Sequence, residues 1–154
     1  MRIVIASDHG GFKLKEILVK YLKSKGHMVK DIGAFSEESC DYPIIGYQAA
    51  KLVGTKKFPI GILICKTGIG MSMVGNKVRG VRAALCSNAN IARSSREHND
   101  SNVLVLGADT VSPQNAKKIL QAWLGAKRPE GRHSRRVKQI KKIEGLEYEC
   151  AKKN

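Results

Sequence analysis

The stretch ILICKTGIGMS, from Ile62 to Ser72, joins an apolar run to a glycine-rich polar loop. The apolar part completes a predicted strand, Ile60 to Cys65, and the glycines indicate a turn into a short helix. The loop is not a P-loop, because Lys66 precedes the glycines instead of following them. It is not the dinucleotide-binding G-x-G-x-x-G pattern either, because Met73 occupies the third glycine position. The pattern therefore favours an anion-binding turn at a helix N-terminus.

Cys65 stands at the junction of that strand and that turn. Backbone N–H groups at a helix N-terminus carry partial positive charge, which stabilises a thiolate. We therefore predict that Cys65 accepts a proton in a reaction. A buried cysteine is also a common small core residue, and the stretch alone does not distinguish the two interpretations.

The rest of the chain alternates between short β-branched runs and helical patterns. The predicted strands are Ile3–Ser7, Met28–Ile32, Ile60–Cys65, Val81–Leu85 and Asn102–Leu106. Six helices are predicted. The first carries Leu14 to Leu22, the second starts at Asp41-Tyr42-Pro43, and the third is short and runs from the glycines after Cys65 to about Asn76. The fourth spans Asn88 to Glu97, the fifth lies between Ser112-Pro113 and Gly125, and the last covers about 132–146, with a polar tail to 154.

This alternation predicts an α/β fold, a three-layer α/β/α sandwich with a five-stranded parallel Rossmann-like sheet, in one domain over 1–154. Ligands of such sheets bind beyond the carboxyl ends of the strands.

The formal net charge of +15 raises the question of a polyanionic partner. The densest basic segment, Arg132 to Lys142, holds six Lys and Arg residues and no acid. Aromatic residues make up only 5% of the chain and do not alternate with the arginines. We therefore expect a solvated basic surface with a few arginines for a small phosphate ligand, and not nucleic acid as the main partner.

No stretch approaches the roughly 20 apolar residues of a membrane helix, so we expect no membrane partner. The apolar run at the N-terminus is too short for a signal peptide. The four cysteines, Cys40, Cys65, Cys86 and Cys150, show no CxxC spacing. These features predict reduced thiols and a cytoplasmic location. Cys86 also follows a strand, but its neighbours Ser87-Asn88 are typical of a helix cap, so we interpret it as structural.

Polar segments follow the predicted strands and helices at several places, and each also has an ordinary structural explanation. Ser7 to Gly11 could be a tight turn, Glu97 to Asp100 a helix end, and Gly131 to Arg136 a solvated helix start. Taken singly, these segments leave the function open.

Taken together, their order and spacing resemble one family. The motifs are Asp8-His9-Gly10-Gly11, Asp41-Tyr42-Pro43, Cys65-x-Thr67-Gly68-x-Gly70-x-Ser72, Asn76-Lys77, Arg82, His98-Asn99-Asp100-x-Asn102-Val103 and Gly131-Arg132-His133-x-x-Arg136-Val137. They look like those of the type B ribose-5-phosphate isomerases, within the group that also holds galactose-6-phosphate and allose-6-phosphate isomerases. The resemblance runs from Ile3 to about Ile143.

The resemblance implies an isomerase of the pentose phosphate pathway that interconverts D-ribose 5-phosphate and D-ribulose 5-phosphate through an enediolate, with no metal and no cofactor. It implies a homodimer or a dimer of dimers with a shared active site. Two alternatives stay open: an isomerase of allose or galactose 6-phosphate, and a non-catalytic protein that binds sugar phosphates or nucleic acid.

The resemblance also implies roles for individual residues. Cys65 would be the base, Thr67 would assist proton movement between O1 and O2, and His98 would assist ring opening. The N–H groups of Gly68, Ile69, Gly70, Met71 and Ser72 would stabilise the enediolate. Asp8, Tyr42 and Asn99 would hold hydroxyls, and His9, Arg132 and Arg136 would bind the phosphate. His98, Asn99 and the arginine segment would face the cysteine loop of a neighbouring subunit.

Two positions depart from the family pattern. Many members carry glycine where this chain has Lys66, and this lysine either adds a cation near the enediolate or points outward, which we favour. Many members carry a phosphate-binding arginine in the stretch where this chain has Asp109, so one phosphate ligand is expected to be missing. Arg135 is a candidate substitute.

Overall fold

The structure is a computed structural model that describes the backbone of residues 1–151 and the side chains of residues 1–149. The side chain of Cys150 and the end of the predicted polar tail, residues 152–154, lie outside the described residues. The strands are β1 Arg2–Ser7, β2 Met28–Asp31, β3 Ile60–Cys65, β4 Ala83–Leu85 and β5 Val103–Gly107. The helices are α1 Phe12–Ser24, α2 Tyr42–Gly54, α3 Ile69–Asn76, α4 Ala89–Asn99, α5 Pro113–Gly125 and α6 Gly131–Ala151, and a single 3-10 turn spans His9–Gly11.

The five strands form one parallel sheet in the order β2-β1-β3-β5-β4, as predicted. The register places Ser7 of β1 beside Ile64, and Cys65 of β3 beside Gly107. The ends of β1, β3 and β5 therefore meet at one edge, which we call the carboxyl edge. The opposite edge, where the strands begin, is called the amino edge.

Helices cover both faces of the sheet, and the side chains that alternate along each strand pack into two separate clusters. Ile3, Ile5 and Ile62 pack with α1 and α5, whose Trp123 is fully buried. The alternate residues of the strands, including Leu63 and Cys65, pack against α2 and α3. The predicted three-layer arrangement is confirmed. Among the described residues, no helix is long and apolar enough to cross a membrane.

Most boundaries differ from the sequence-based prediction by one or two residues, and the start of β4 and the end of the last helix differ for identifiable reasons. β4 begins at Ala83 and not at Val81, because Val81 N–H closes a turn on the Val78 carbonyl and Arg82 N–H donates to the Asn102 side chain at 2.7 Å. The last helix runs to Ala151, beyond the predicted end near 146. Its last turns are held by the chain itself, since Gly80 N–H donates to Glu144 and Arg79 N–H to the Tyr148 hydroxyl.

Candidate active site

The thiol of Cys65 lies at the carboxyl edge, at the end of β3, and is 5% exposed. Its sulfur accepts a hydrogen bond from Gly68 N–H at 3.1 Å. Gly68 makes this turn possible because it adopts a left-handed conformation, with φ 79°. This φ strains any residue with a side chain, and a Cβ at Gly68 would also meet Leu85 Cδ1 and lie 3.1 Å from the Leu106 carbonyl carbon. The turn therefore provides the thiolate-stabilising N–H group that the sequence suggested.

The backbone N–H groups that follow Gly68 differ in whether they already have a hydrogen-bond acceptor within the chain. Ile69 N–H donates to Thr67 Oγ1 at 3.3 Å, and Ser72 N–H makes the first helical bond, to the Gly68 carbonyl at 3.0 Å. The N–H groups of Gly70 and Met71 precede that first bond, so the helical pattern supplies them no acceptor. Of the five predicted donors, these two are best suited to a ligand oxygen.

The turn after β1 lies at the same edge. Asp8 is buried, its N–H donates to the Ile64 carbonyl, and its Oδ1 accepts from Gly11 N–H at 2.9 Å. His9 Nδ1 lies 3.3 Å from Cys40 N–H, which donates to it. An imidazole that accepts at Nδ1 carries its hydrogen on Nε2 when neutral, so His9 presents a donor to a ligand. No sequence pattern predicts this contact, because Cys40 contributes only its backbone N–H.

Tyr42 begins α2 and its ring lies against the cysteine turn. A Cβ built on Gly70 would lie 2.5 Å from Tyr42 Cζ and 2.9 Å from its hydroxyl oxygen. The glycine thus allows the tyrosine hydroxyl to approach the start of α3. Asp8, His9, Tyr42, Cys65, Thr67 and the Gly68–Ser72 turn all lie at the carboxyl edge.

The remaining predicted residues lie elsewhere. His98 and Asn99 end α4, just before β5 begins at Val103, whereas Cys65 is paired with Gly107 at the end of β5. At roughly 3.3 Å per residue, the two ends of β5 are about 13 Å apart. His98 and Asn99 are therefore at the amino edge, on the far side of the sheet from the thiol of the same chain.

The start of α6 joins His98 at the amino edge. The rings of His98 and His133 are stacked, with centroids 4.1 Å apart and planes 11° apart. Desolvation lowers the pKa of His133, and the positive charges of His98, Arg132 and Arg136 lower it further. Arg132 and Arg136 are exposed on this helix start. One chain therefore presents two separate groups of predicted site residues.

The HNDxN motif is His98-Asn99-Asp100-x-Asn102, and its last two named residues, Asp100 and Asn102, stabilise the amino edge. Asp100, at the left-handed end of α4, accepts from Arg82 Nη2 at 2.8 Å and also pairs with Arg128. Asn102 donates to the Gly80 carbonyl and accepts from Arg82 N–H, both at 2.7 Å. These residues connect α4, β4 and β5, and the hydrogen bonds and ion pairs of their side chains stabilise the fold.

Cys86 is separate from both groups. It is 1% exposed, and burial raises the pKa of its thiol to about 11. The expectation that Cys86 is structural agrees with this environment. Among residues 1–149, no group of three or more His, Cys, Asp or Glu side chains is arranged to hold a metal ion.

Comparison with known proteins gives one consistent result. A family model described as Ribose/Galactose Isomerase matches residues 3–140. The chain is 45% identical over 143 residues to ribose-5-phosphate isomerase B of Escherichia coli, covering 93% of this chain and 96% of that protein. The structure superposes on ribose-5-phosphate isomerase B of Clostridium thermocellum with a TM-score of 0.92 and 46% identity, over 95% of this chain and 99% of that one. It also matches the Mycoplasma genitalium enzyme with bound ribulose-5-phosphate, with a TM-score of 0.89 and 39% identity, over 94% and 96% of the two chains.

Proposed function

The chain belongs to the ribose/galactose isomerase family, and from that premise we propose that it interconverts D-ribose 5-phosphate and D-ribulose 5-phosphate. The observation that carries the proposal is the hydrogen bond from Gly68 N–H to the Cys65 sulfur, at the ligand-binding edge of the sheet. The relatives described above are named for ribose 5-phosphate, which does not favour the six-carbon or the non-catalytic alternative.

The reaction moves one proton between two neighbouring carbons. The Cys65 thiolate takes the C2 proton of the open-chain aldose. The electron pair of that bond forms the C1–C2 double bond, and the π pair of the C1 carbonyl moves onto O1, which gives an enediolate. Thr67 assists transfer of the hydroxyl proton from O2 to O1. The thiol then returns its proton to C1, and the C2 carbonyl of the ketose forms. The N–H groups of Gly70 and Met71 stabilise the negative oxygen between these two steps.

The remaining tasks are ring opening and phosphate binding. We assign ring opening to His98, the sugar hydroxyls to Asp8, Tyr42 and Asn99, and the phosphate to His9, Arg132 and Arg136. Forked guanidinium groups are suited to phosphate oxygens. Since His98, Asn99 and both arginines lie at the amino edge, we propose that a second copy brings its amino edge to the carboxyl edge of the first. Each site of the homodimer then contains residues of both chains.

Exposed apolar side chains beside the cysteine turn support this assembly. Ile44 and Tyr47 on α2, and Ile69 and Met73 on α3, are 63%, 47%, 51% and 63% exposed. These helices pack against each other and border the carboxyl edge. Large apolar side chains grouped near a site are typical of a protein interface. A second chain that completes the site would also cover these side chains.

We also propose that the enzyme acts in the cytoplasm, in the pentose phosphate pathway. Cys40, Cys65 and Cys86 are free thiols, and unpaired cysteines are typical of a reducing compartment. The substrate pair assigned above is the basis for the pathway.

The activity is tested by incubating the purified protein with ribose 5-phosphate in EDTA and measuring ribulose 5-phosphate. We expect conversion that EDTA does not reduce, because no step above uses a metal. A well-folded oligomer that gives no product would refute the proposed function. Relative kcat/KM for ribose 5-phosphate, allose 6-phosphate and galactose 6-phosphate tests the sugar preference, and we expect the ribose substrate to be preferred.

The shared site is tested by mixing two inactive variants, Cys65→Ala and His98→Gln. In a mixed dimer both substitutions fall in one site and the other site is intact. Random reassociation makes about half of the dimers mixed, so about a quarter of the wild-type activity should return. If unfolding and joint refolding restore no activity although mixed dimers form, the site is not shared.

A further inference from the structure

Lys66 follows the base directly and has a defined course at the carboxyl edge. Its side chain runs over the turn after β1, because a Cβ built on Gly10 would lie 2.4 Å from Lys66 Cγ and 3.1 Å from Lys66 Cε. One bond of about 1.5 Å joins Cε to Nζ, so the ammonium lies within about 4.6 Å of that Cβ position. The positive charge thus lies close to the turn that carries His9.

The backbone at Lys66 is also fixed. Its carbonyl accepts from Asp109 N–H at 2.9 Å, and the Cys65 carbonyl accepts from Ala108 N–H at 2.8 Å. The stem of Lys66 therefore starts from a main chain held on the loop after β5 and ends over Gly10. Gly10 and Lys66 fit together, since only a residue without a Cβ leaves room for this course.

Comparison with the other lysines of this edge shows what distinguishes Lys66. Lys13 pairs with Glu37 at 2.6 Å, and the fully buried Lys15 pairs with Asp31. Among the ion pairs of residues 1–149, none includes Lys66. An exposed ammonium that no carboxylate neutralises, next to an imidazole with a free Nε2–H, is suited to an anion.

We propose that Lys66 binds the phosphate of the substrate together with His9 of the same chain. This deepens the proposed function and rests on it: one chain supplies His9 and Lys66, and the other supplies Arg132 and Arg136. Lys66 binds the end of the sugar that does not react, so it stabilises substrate and transition state equally. Such binding lowers KM without raising kcat.

The test is Lys66→Met, which keeps the stem and removes the charge. We expect KM for ribose 5-phosphate and the inhibition constant of inorganic phosphate each to rise about tenfold, as for the loss of one charge-assisted contact. kcat should change by less than about twofold. Lys66→Arg should restore most of the affinity. Lys13→Met removes a charge from the same edge and is the matched control, which we expect to change KM by less than about twofold.

Gly10→Ala gives an independent test, because its Cβ displaces the lysine while the charge remains. We expect it to raise KM in the wild type and to have no further effect in a Lys66→Gly background, as a double-mutant cycle would detect. If Gly10→Ala raises KM equally in both backgrounds, its Cβ acts on the substrate directly and this support is lost.

Three results would overturn the proposal or its premise, and they are distinguishable. A fall in kcat with unchanged KM and phosphate inhibition would place Lys66 at the reacting carbons. Equal small effects of Lys66→Met and Lys13→Met would make Lys66 an ordinary solvated lysine. A wild type that binds phosphate through Lys66 by calorimetry but has no isomerase activity would refute the proposed function and leave the anion site standing.

Discussion

The carboxyl and amino edges of the sheet carry the two halves of the predicted site, and they hold their side chains in different ways. At the carboxyl edge, Asp8, Cys65 and Thr67 each accept from a backbone N–H of their own turn, at 2.9, 3.1 and 3.3 Å. At the amino edge, Asp100 and Asn102 bond residues of other elements.

The difference separates residues that serve a ligand from residues that serve the fold. A bond within one turn orients a side chain and leaves its other face open. A hydrogen bond between two elements of secondary structure stabilises the fold, and its polar atoms are then not available to a ligand. The HNDxN motif contains both kinds, because His98 and Asn99 are exposed while Asp100 is buried between two arginines.

The strongest test of the carboxyl edge is Cys65→Ala. We expect kcat to fall by about 10³-fold or more, because the proton acceptor is lost while the donors around it remain. Turnover is measured with ribose 5-phosphate, and folding is checked by circular dichroism and thermal unfolding. The matched control is Cys86→Ala, another buried thiol, which should lower stability by about 1 kcal/mol and leave kcat nearly unchanged. Equal losses of kcat in both variants would refute the assignment of the base.

The strands and the place of the thiol could be predicted from the sequence because they depend on local patterns. Apolar β-branched runs mark each strand, and Cys65 follows one of them directly. The separation of His98 from Cys65 follows from the chain order too, since a helix after a strand ends at the amino edge. That a second chain completes the site could not be predicted from the residues alone, and this expectation came from the resemblance to the family.

Features that depend on distant partners could not be predicted. Lys15 stands in an amphipathic helix where a solvated lysine is the ordinary expectation, yet it is fully buried. Its ammonium pairs with Asp31 and lies 5.4 and 5.2 Å from the ring centroids of Phe12 and Phe35. The burial requires two segments of the chain, the start of α1 and residues 31–35. The start of β4 was missed for the same reason, because Asn102 binds Arg82 from 20 residues away.

At the amino edge, Asp100→Ala should lower stability, whereas Asn99→Ala should lower activity. Removing Asp100 leaves Arg82, only 16% exposed, without its carboxylate, so we expect a loss of about 3 kcal/mol in the free energy of unfolding. Removing the exposed Asn99 side chain should change stability by less than about 0.5 kcal/mol. It should instead lower kcat/KM, as the loss of a hydroxyl contact would. Chemical denaturation and initial rates measure the two effects. Similar stability losses in both variants would contradict the division of the motif.

The smallest expected effect is a pH dependence at the amino edge, from His133. Its pKa is lowered in the folded protein, so the unfolded chain binds a proton there more readily. Stability should therefore be lost as the pH falls through the ordinary histidine value of about 6.5 and towards the lowered pKa. His133→Asn should reduce the difference in Tm between about pH 7.5 and pH 5.5.

His27 is the matched control. Its pKa is lowered as well, by desolvation and the N-terminal charge, so His27→Asn should act on Tm in the same direction. Only His133→Asn should also change the pH dependence of KM, because His133 stacks on His98 and lies next to Arg132. His27 precedes β2, which is the outermost strand on the side of the sheet opposite to β4. If both variants leave the pH dependence of KM unchanged, the stacked imidazoles belong with Asp100 and Asn102 among the residues that serve the fold.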